Sequence, residues 1–369
     1  MSEAEDRLAQ FEHGDAIEVP VGRIERELDA LWRQAATPRE GEKHKPVTRA
    51  CLWNLIVRAE GELEFRRAKR LIDDLSASLP VRAIVLRVEA GPEALRAWVE
   101  ANWRRSGQGD SGSDEVTLEA RGRAAERLPA LVRALTITDV PTAMLWMGAP
   151  SAAVGSDAPL RALVGEVDRL IFDSRKLPDE AGLIELQRLA AERPQLELAD
   201  LAWLGVSPLR GLCAALFDPP PADRPSRLDA LERVRVASGV QGAQTRALLT
   251  LGWLIARLEW KQLERRPPDG AVRRWRAARR GGAVELLLET RAGGPDHGVV
   301  ELALEAGPDA WSLTRDRCIE VRAPDAPRRS QPARSHSEPE LVRAALGPRG
   351  RDAVYREALA AAARLLEAR

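Results

Sequence analysis

The sequence is short of the residues that most often carry chemistry. It has three Cys, four His, three Met and one Tyr in 369 positions. Cys51, Cys213 and Cys318 are far apart, odd in number and free of any CxxC spacing. That excludes a disulfide framework and a cysteine-rich zinc site. His13, His44, His297 and His336 fall in loop-like stretches with no ligand spacing, which argues against a metal centre. No Gly-rich phosphate cradle follows a strand-like run, and no serine nucleophile elbow is present. An excess of either charge is missing too. The 56 basic and 56 acidic side chains cancel, whereas general nucleic-acid binding needs a basic excess. No run approaches the roughly 18 apolar residues that span a bilayer, and MSEAEDRLAQ has no apolar signal core. The expectation is a cytoplasmic protein without membrane contact. Lys is confined to positions 43, 45, 69, 176 and 261 and Asn to 54 and 102, which we read as coding bias toward Arg.

What is present is a globular composition, 44% hydrophobic and 30% charged, on a chain long enough for two domains. Ten Trp stand out; core positions and docking surfaces are the two settings that favour them. Residues 141–218 carry a repeated rhythm of short apolar run, polar turn and helical pattern. The runs fall near 142–147, 169–173 and 198–202, the helices near 158–165, 179–192 and 208–216. This is the signature of strand–helix units on a mainly parallel sheet. Upstream, 48–58 and 81–88 read as strands, and Glu60–Leu75 as a helix packing through Leu63, Ala68, Leu71 and Leu75. Residues 106–113 read as a flexible loop before a strand at 115–120. Downstream, 234–238 is a short strand before a helix from Gln244 to Trp260. Residues 283–290, 298–305, 309–314 and 317–322 form an antiparallel meander. A linker-like stretch, 324–338, precedes helices near 339–346 and 350–368.

The fold class expected is therefore α/β, a mainly parallel sheet with flanking helices, plus a C-terminal α+β part with an antiparallel meander. The domains expected are 1–218, with a mobile lead at 1–16, and 228–369. The Pro-rich segment 219–227 joins them.

Candidate binding residues cluster at strand ends, where open α/β sheets place ligands. Asp173, Ser174 and Arg175 end one strand, and turn capping by Asp173 or Ser174 is their ordinary role. Trp146 and Met147 end another, fit for docking or for core packing. Asp200 and Trp203 end a third. Arg210 follows Ser207-Pro208, which reads as an N-cap with Pro at the first helical position, and an Asp200–Arg210 ion pair would link strand to helix. Residues 261–280 hold eight basic and two acidic side chains around Trp275, with Arg273 and Arg274 beside it. They read as a solvated helix anchored by that Trp, or as a surface for an acidic partner or an RNA backbone.

The blocks TRACLWNLIV, PVRAIVLRV, DEVTLEARGRAAERLPALV, DVPTAMLWMG, DRLIFDSR, LADLAWLGVSPLRGLCAALFD and ALLTLGWLIARLEW, in this order, resemble the bacterial glucose-6-phosphate dehydrogenase assembly protein family OpcA. The resemblance runs from about residue 47 to 322. The chain departs from the family where it has Trp146-Met147-Gly148 in place of two Trp and Pro-Gly, and Leu209 in place of a Trp. It also has Ser113-Asp114 where many members carry a Cys before the EVTL strand. The resemblance implies a non-catalytic allosteric activator without a cofactor. Its partner would be glucose-6-phosphate dehydrogenase, whose active oligomer it would favour, promoting NADPH supply through the pentose phosphate pathway. Two other readings stand beside it: an α/β enzyme using Asp173, Arg175 and Asp200, and a nucleic-acid or phosphate-binding module at Arg273–Arg280.

Overall fold

The computed structural model describes residues 11–13, 16–35, 47–49, 51–76, 78–104, 110–148, 158–218, 227–239, 243–291, 298–347, 350 and 352–369. The lead at 1–10 and the loop holding His44 lie outside them, as does all of the Pro-rich segment except Arg227. The chain forms two compact units. One holds Met1–Gly148, Gly155–Phe172 and Glu338–Arg349; the other holds Ala149–Val154, Asp173–Ser337 and Gly350–Arg369. Both sides of the Pro-rich segment thus belong to the second unit.

The first unit is built from β1 (Phe11–His13), β2 (Ile17–Val19), α1 (Ile24–Ala35), β3 (Val47–Arg49), β4 (Trp53–Glu60), α2 (Gly61–Ser76), β5 (Val81–Glu89), β6 (Ala94–Arg104), β7 (Asp110–Arg121), α3 (Leu128–Leu135), β8 (Thr142–Trp146), α4 (Ala158–Val164) and β9 (Arg169–Phe172). Its sheet runs in the order β1-β6-β7-β5-β4-β8-β9, with β2 on β6 and β3 on β7. Pairings from β7 through β5, β4 and β8 to β9 are parallel; those of β6 are antiparallel. β4 is buried along seven consecutive residues, as a central parallel strand must be. Asn54 is tolerated there because its amide donates to the Ile137 and Val140 carbonyls, both at 3.0 Å, and accepts from the Ile137 amide. It thereby fixes the turn that feeds β8.

Three expectations fail in this unit. Residues 110–113 are strand rather than loop, and β6 has no counterpart in the sequence reading. Leu63 is 82% exposed. The buried stripe of α2 is Ala68, Leu71, Ile72 and Leu75; at 100° per residue Leu63 falls off that line.

The helix Glu338–Ala345 returns to this unit from far along the chain. Glu338 pairs with Arg67 at 2.7 Å. The Arg169 guanidinium donates to the carbonyls of Ala345 and Gly347.

The second unit holds α5 (Ala181–Glu192), β10 (Glu197–Asp200), α6 (Leu201–Gly205), α7 (Ser207–Ala215), β11 (Arg233–Ser238), α8 (Ala243–Arg257), β12 (Lys261–Asp269), β13 (Val272–Arg279), β14 (Gly282–Thr290), β15 (Val299–Ala306), β16 (Asp309–Arg315), β17 (Cys318–Ala323) and β18 (Ala326–Pro332). With Glu338–Ala345 as α9, its last helix is α10 (Ala353–Glu367). An eight-stranded sheet runs β12-β13-β14-β11-β15-β16-β17-β18. The expected meander is present but interrupted, because β11 lies between β14 and β15, parallel to one and antiparallel to the other. The linker-like 324–338 contains an edge strand, β18. The expected helix at 261–280 is instead the hairpin β12–β13.

One face of this sheet is apolar and packs with the Leu-rich α8: Val284, Leu286 and Leu288 join Trp275, Trp260, Trp311, Leu251 and Ile255 in one core. The other face alternates charge by strand. Arg233 on β11 bridges Glu285 on β14 (3.0 Å) and Glu305 on β15 (3.1 Å), the cross-strand pairing that a solvated face favours. The α/β class with a largely parallel sheet and an antiparallel second part is thus as expected. Among the described residues no helix is long and apolar enough to cross a membrane.

Candidate partner-binding site

The strand-end residues of the first unit are turned inward. Trp146 and Met147 are each 1% exposed, so the docking surface expected of them is not presented. Trp146 is the last residue of β8, a strand buried on both faces, and Met147 follows it directly. The Arg58 guanidinium lies 4.3 Å over the Trp146 ring and pairs with Glu60. These groups close the carboxyl edge between β4 and β8, the place where strand order reverses and where open α/β sheets take their ligands. The helix that a dinucleotide phosphate would need starts without a Gly-rich turn. Gly61, at φ +66°, takes the chain from β4 into α2 in one step. The first turn of α2 carries Glu62 and Glu64, and Glu64 accepts from the Glu60 amide at 2.8 Å. Acidic groups here repel a phosphate and occupy the amide it would use.

In the second unit the residues singled out by sequence do come together, as a capping network. Asp173 caps the turn Ser174–Lys176 by accepting from the Arg175 amide at 3.1 Å, and the Arg175 side chain folds back on it at 2.5–3.0 Å. Asp200 caps α6 through the Ala202 amide (2.9 Å) and also accepts from the Ser174 amide (3.0 Å) and the Tyr355 hydroxyl (3.4 Å). The expected Asp200–Arg210 ion pair is not formed. Arg210 instead donates to the Trp203 carbonyl at 2.7 Å and stacks 3.3 Å over its ring. The indole of Trp203 donates to Asp352 at 2.8 Å, and Asp352 caps α10 through the Tyr355 amide, also at 2.8 Å. Ser207 is the first residue of α7, not its cap; Val206 holds that position and Pro208 the first turn.

Tyr355, Asp352 and Arg246 were missed by the sequence reading. Tyr355 is the single Tyr of the chain, and Asp352 three residues before it has N-cap spacing. Arg246 is 6% exposed. Its guanidinium lies where a Cβ on Gly205 would come within 2.8 Å of it, so Gly205 admits it.

Burial sets the protonation of this network. Asp200 is pushed up to about 6, first by burial and then by the nearby charge of Asp173. Burial also raises Asp173, but the hydrogen bonds and charge of Arg175 outweigh it and leave that carboxyl below its usual value. Burial lowers Arg210 and Arg246 to about 10 each, and raises the Tyr355 phenol, with Asp200 adding to the rise. A raised and a lowered carboxyl side by side are what an acid–base pair needs. Yet Asp173 and Asp200 are 2% and 1% exposed, and their oxygens accept from backbone amides. The arrangement locks two turns and α10 together.

The basic stretch splits by strand alternation. Arg273 and Trp275 face the core. Arg273 forks onto Glu180 at 2.6 and 2.7 Å; the Trp275 indole donates to the Leu365 carbonyl at 2.9 Å. Arg274 faces outward and pairs with Glu285. Beside it a cavity of about 850 Å³ opens, lined in part by Arg266, Pro267, Pro268, Asp269, Arg274 and Arg276. A smaller one of about 410 Å³ lies by Leu212, Leu216, Ile319 and Val321.

Two family models match this chain. That described as glucose-6-phosphate dehydrogenase subunit N-terminal domain covers residues 72–190, and that described as the C-terminal domain of the same subunit covers 196–359. An OpcA protein of Nostoc punctiforme, assigned provisionally to the OxPP cycle, is 30% identical over 206 residues, 54% of this chain and 43% of that protein. Its namesake in a Synechocystis species is 30% identical over 146 residues, 39% of this chain and 29% of that one. The chain thus matches less than half the length of each. Among solved structures, an oxidoreductase from Sinorhizobium meliloti has TM-score 0.46 at 12% identity, covering 85% of this chain and 88% of its own. A UDP-N-acetylglucosamine 3-dehydrogenase from Acidithiobacillus ferrooxidans has 0.45 at 12%, covering 86% and 97%. At such scores neither likeness bears on chemistry. The two family models and the curated relatives agree in name, and the chain belongs to the OpcA family.

Proposed function

We propose that this chain is a non-catalytic assembly factor that binds glucose-6-phosphate dehydrogenase and favours its active oligomer, raising NADPH production. Family membership supports the partner. The closed carboxyl edge of the first sheet supports the non-catalytic half. Where an α/β oxidoreductase holds its dinucleotide, this chain places Arg58 on Trp146 and the carboxylates of Glu62 and Glu64.

Activation by binding requires unequal affinity for the two states of the enzyme, since equal affinity shifts nothing. A ten-fold gain in apparent substrate affinity needs a coupling of only ~1.4 kcal/mol. That is within reach of one well-packed aromatic or arginine contact at a protein interface.

The test is to titrate the purified chain into the dehydrogenase of the same organism, following oligomer mass and the substrate curve together. The expected result is a complex, a shift toward the larger oligomer and a lower half-saturation, with no turnover by the chain alone. A dehydrogenase whose mass and kinetics ignore a saturating excess of the chain overturns the proposal.

A further inference from the structure

We infer that the outer face of the hairpin β12–β13 is a docking groove for an acidic, extended protein segment; this rests on the reading of the chain as a protein-binding factor. The register sets Arg266 directly opposite Arg274 and Glu264 opposite Arg276. Like charges facing each other across a sheet are unfavourable. Local acids relieve the first pair, since Glu264 takes Arg266 and Glu285 takes Arg274. Both acids are then engaged, and exposed Arg276 has no acidic partner among the described residues. An unmatched guanidinium therefore stands over the groove of about 850 Å³, whose walls include Pro267 and Pro268.

The groove selects among occupants. Pro267 and Pro268 have no amide hydrogen, so this edge cannot accept a full added strand through its main chain. Recognition falls to side chains in the groove, and an extended segment offers them on one face at every second residue. Glu232, Asp269 and Glu285 line the same space as the arginines. Interleaved acids repel a continuous phosphate backbone but leave separate sites for spaced carboxylates. The prolines offer apolar wall between them. An acidic peptide with apolar residues between its carboxylates fits this pattern, and a nucleic acid does not.

The test compares wild type with the R266E/R276E variant, whose changes lie on exposed positions, with R276Q as a milder second variant. Thermal unfolding checks that each is folded. Three probes are used: the dehydrogenase, a synthetic peptide of alternating Glu and Leu, and a short single-stranded oligonucleotide. The expected result is peptide binding by wild type that weakens about ten-fold or more in the double variant, less in R276Q, and that declines with added salt. If the dehydrogenase also binds and loses affinity in the same order, the groove is its docking site. If the dehydrogenase binds all three proteins equally, the groove inference falls and the assembly role stands. If the dehydrogenase never binds while the peptide does, the groove stands and the assembly role falls. Oligonucleotide binding that exceeds peptide binding and vanishes in R266E/R276E overturns the inference.

Discussion

Replacing Gly252 by Ala should cost stability, although Ala is the better helix former. Gly252 lies within α8, where that helix crosses α10. A Cβ there would sit 2.2 Å from the Ala358 carbonyl oxygen and 2.9 Å from the Ala362 nitrogen. Both obstacles are backbone, so no side chain can swing away, and the helices must separate by about 1 Å to restore ordinary contact. Overpacking of this kind costs up to ~3 kcal/mol. The helix propensity gained returns ~1 kcal/mol. The net loss of about 2 kcal/mol lowers Tm by roughly 4–8 °C for a unit of this size. Gly211 in α7 is the control. It is exposed, with nothing within 4 Å of its Cβ position, so Gly211→Ala should raise stability by about 0.5–1 kcal/mol. Urea and thermal unfolding followed by tryptophan fluorescence read both. The same substitution moving both variants in one direction, or Gly252→Ala unfolding with wild type, refutes the close helix crossing.

Two further outcomes are expected. Asp200 keeps its proton to about pH 6 when folded and releases it near 3.8 when unfolded, so this group makes stability fall as pH rises between those values. Asp200→Asn keeps an oxygen for the Ser174 and Ala202 amides. It should flatten that fall and be at least as stable as wild type at neutral pH; a urea midpoint lower at pH 7 with an unchanged slope would count against it. Arg82 donates to Asp114 (3.0 Å), Glu25 (2.7 and 3.0 Å) and the Leu135 carbonyl (2.7 Å). Arg82→Met removes the cation facing the buried Asp114 carboxylate, which keeps its bond from the Trp32 indole, and should cost ~3–5 kcal/mol; adding Asp114→Leu should recover part of it. No recovery in the double variant would show that the pair is not coupled.

Elements whose apolar positions repeat locally were legible: β4, β5, β8, β9, α5, α8 and α10 lie within a few residues of where periodicity placed them. The hairpin β12–β13 was not. Arginine occupies both faces of β13, and the inward Arg273 is tolerated because Glu180, 93 residues away, meets it. No local pattern carries that information, and a run of Arg and Ala reads as helix by propensity. β18 was hidden for a related reason. It is an exposed edge rich in Arg and Pro, held by pairing to β17 rather than by an apolar face. At the candidate site, Asp173 and Asp200 were legible as strand ends. Their partners Tyr355, Asp352 and Arg246 were not, since only the tertiary fold brings them near. Trp146 was read as facing out or in, and Arg58 beneath its ring explains why it faces in.

The long return of α9 has a consequence for how the polypeptide is made. A ribosome finishes β9 long before it reaches α9, yet acceptors for Arg169 and a partner of Arg67 lie at Glu338 to Gly347. During synthesis the earliest-made sheet therefore waits, its contacts to α9 unmade, until residues 338–347 have been added. A fragment that stops at Phe172 is expected to be a poor expression product, and one extended by a tethered copy of 338–347 a better one.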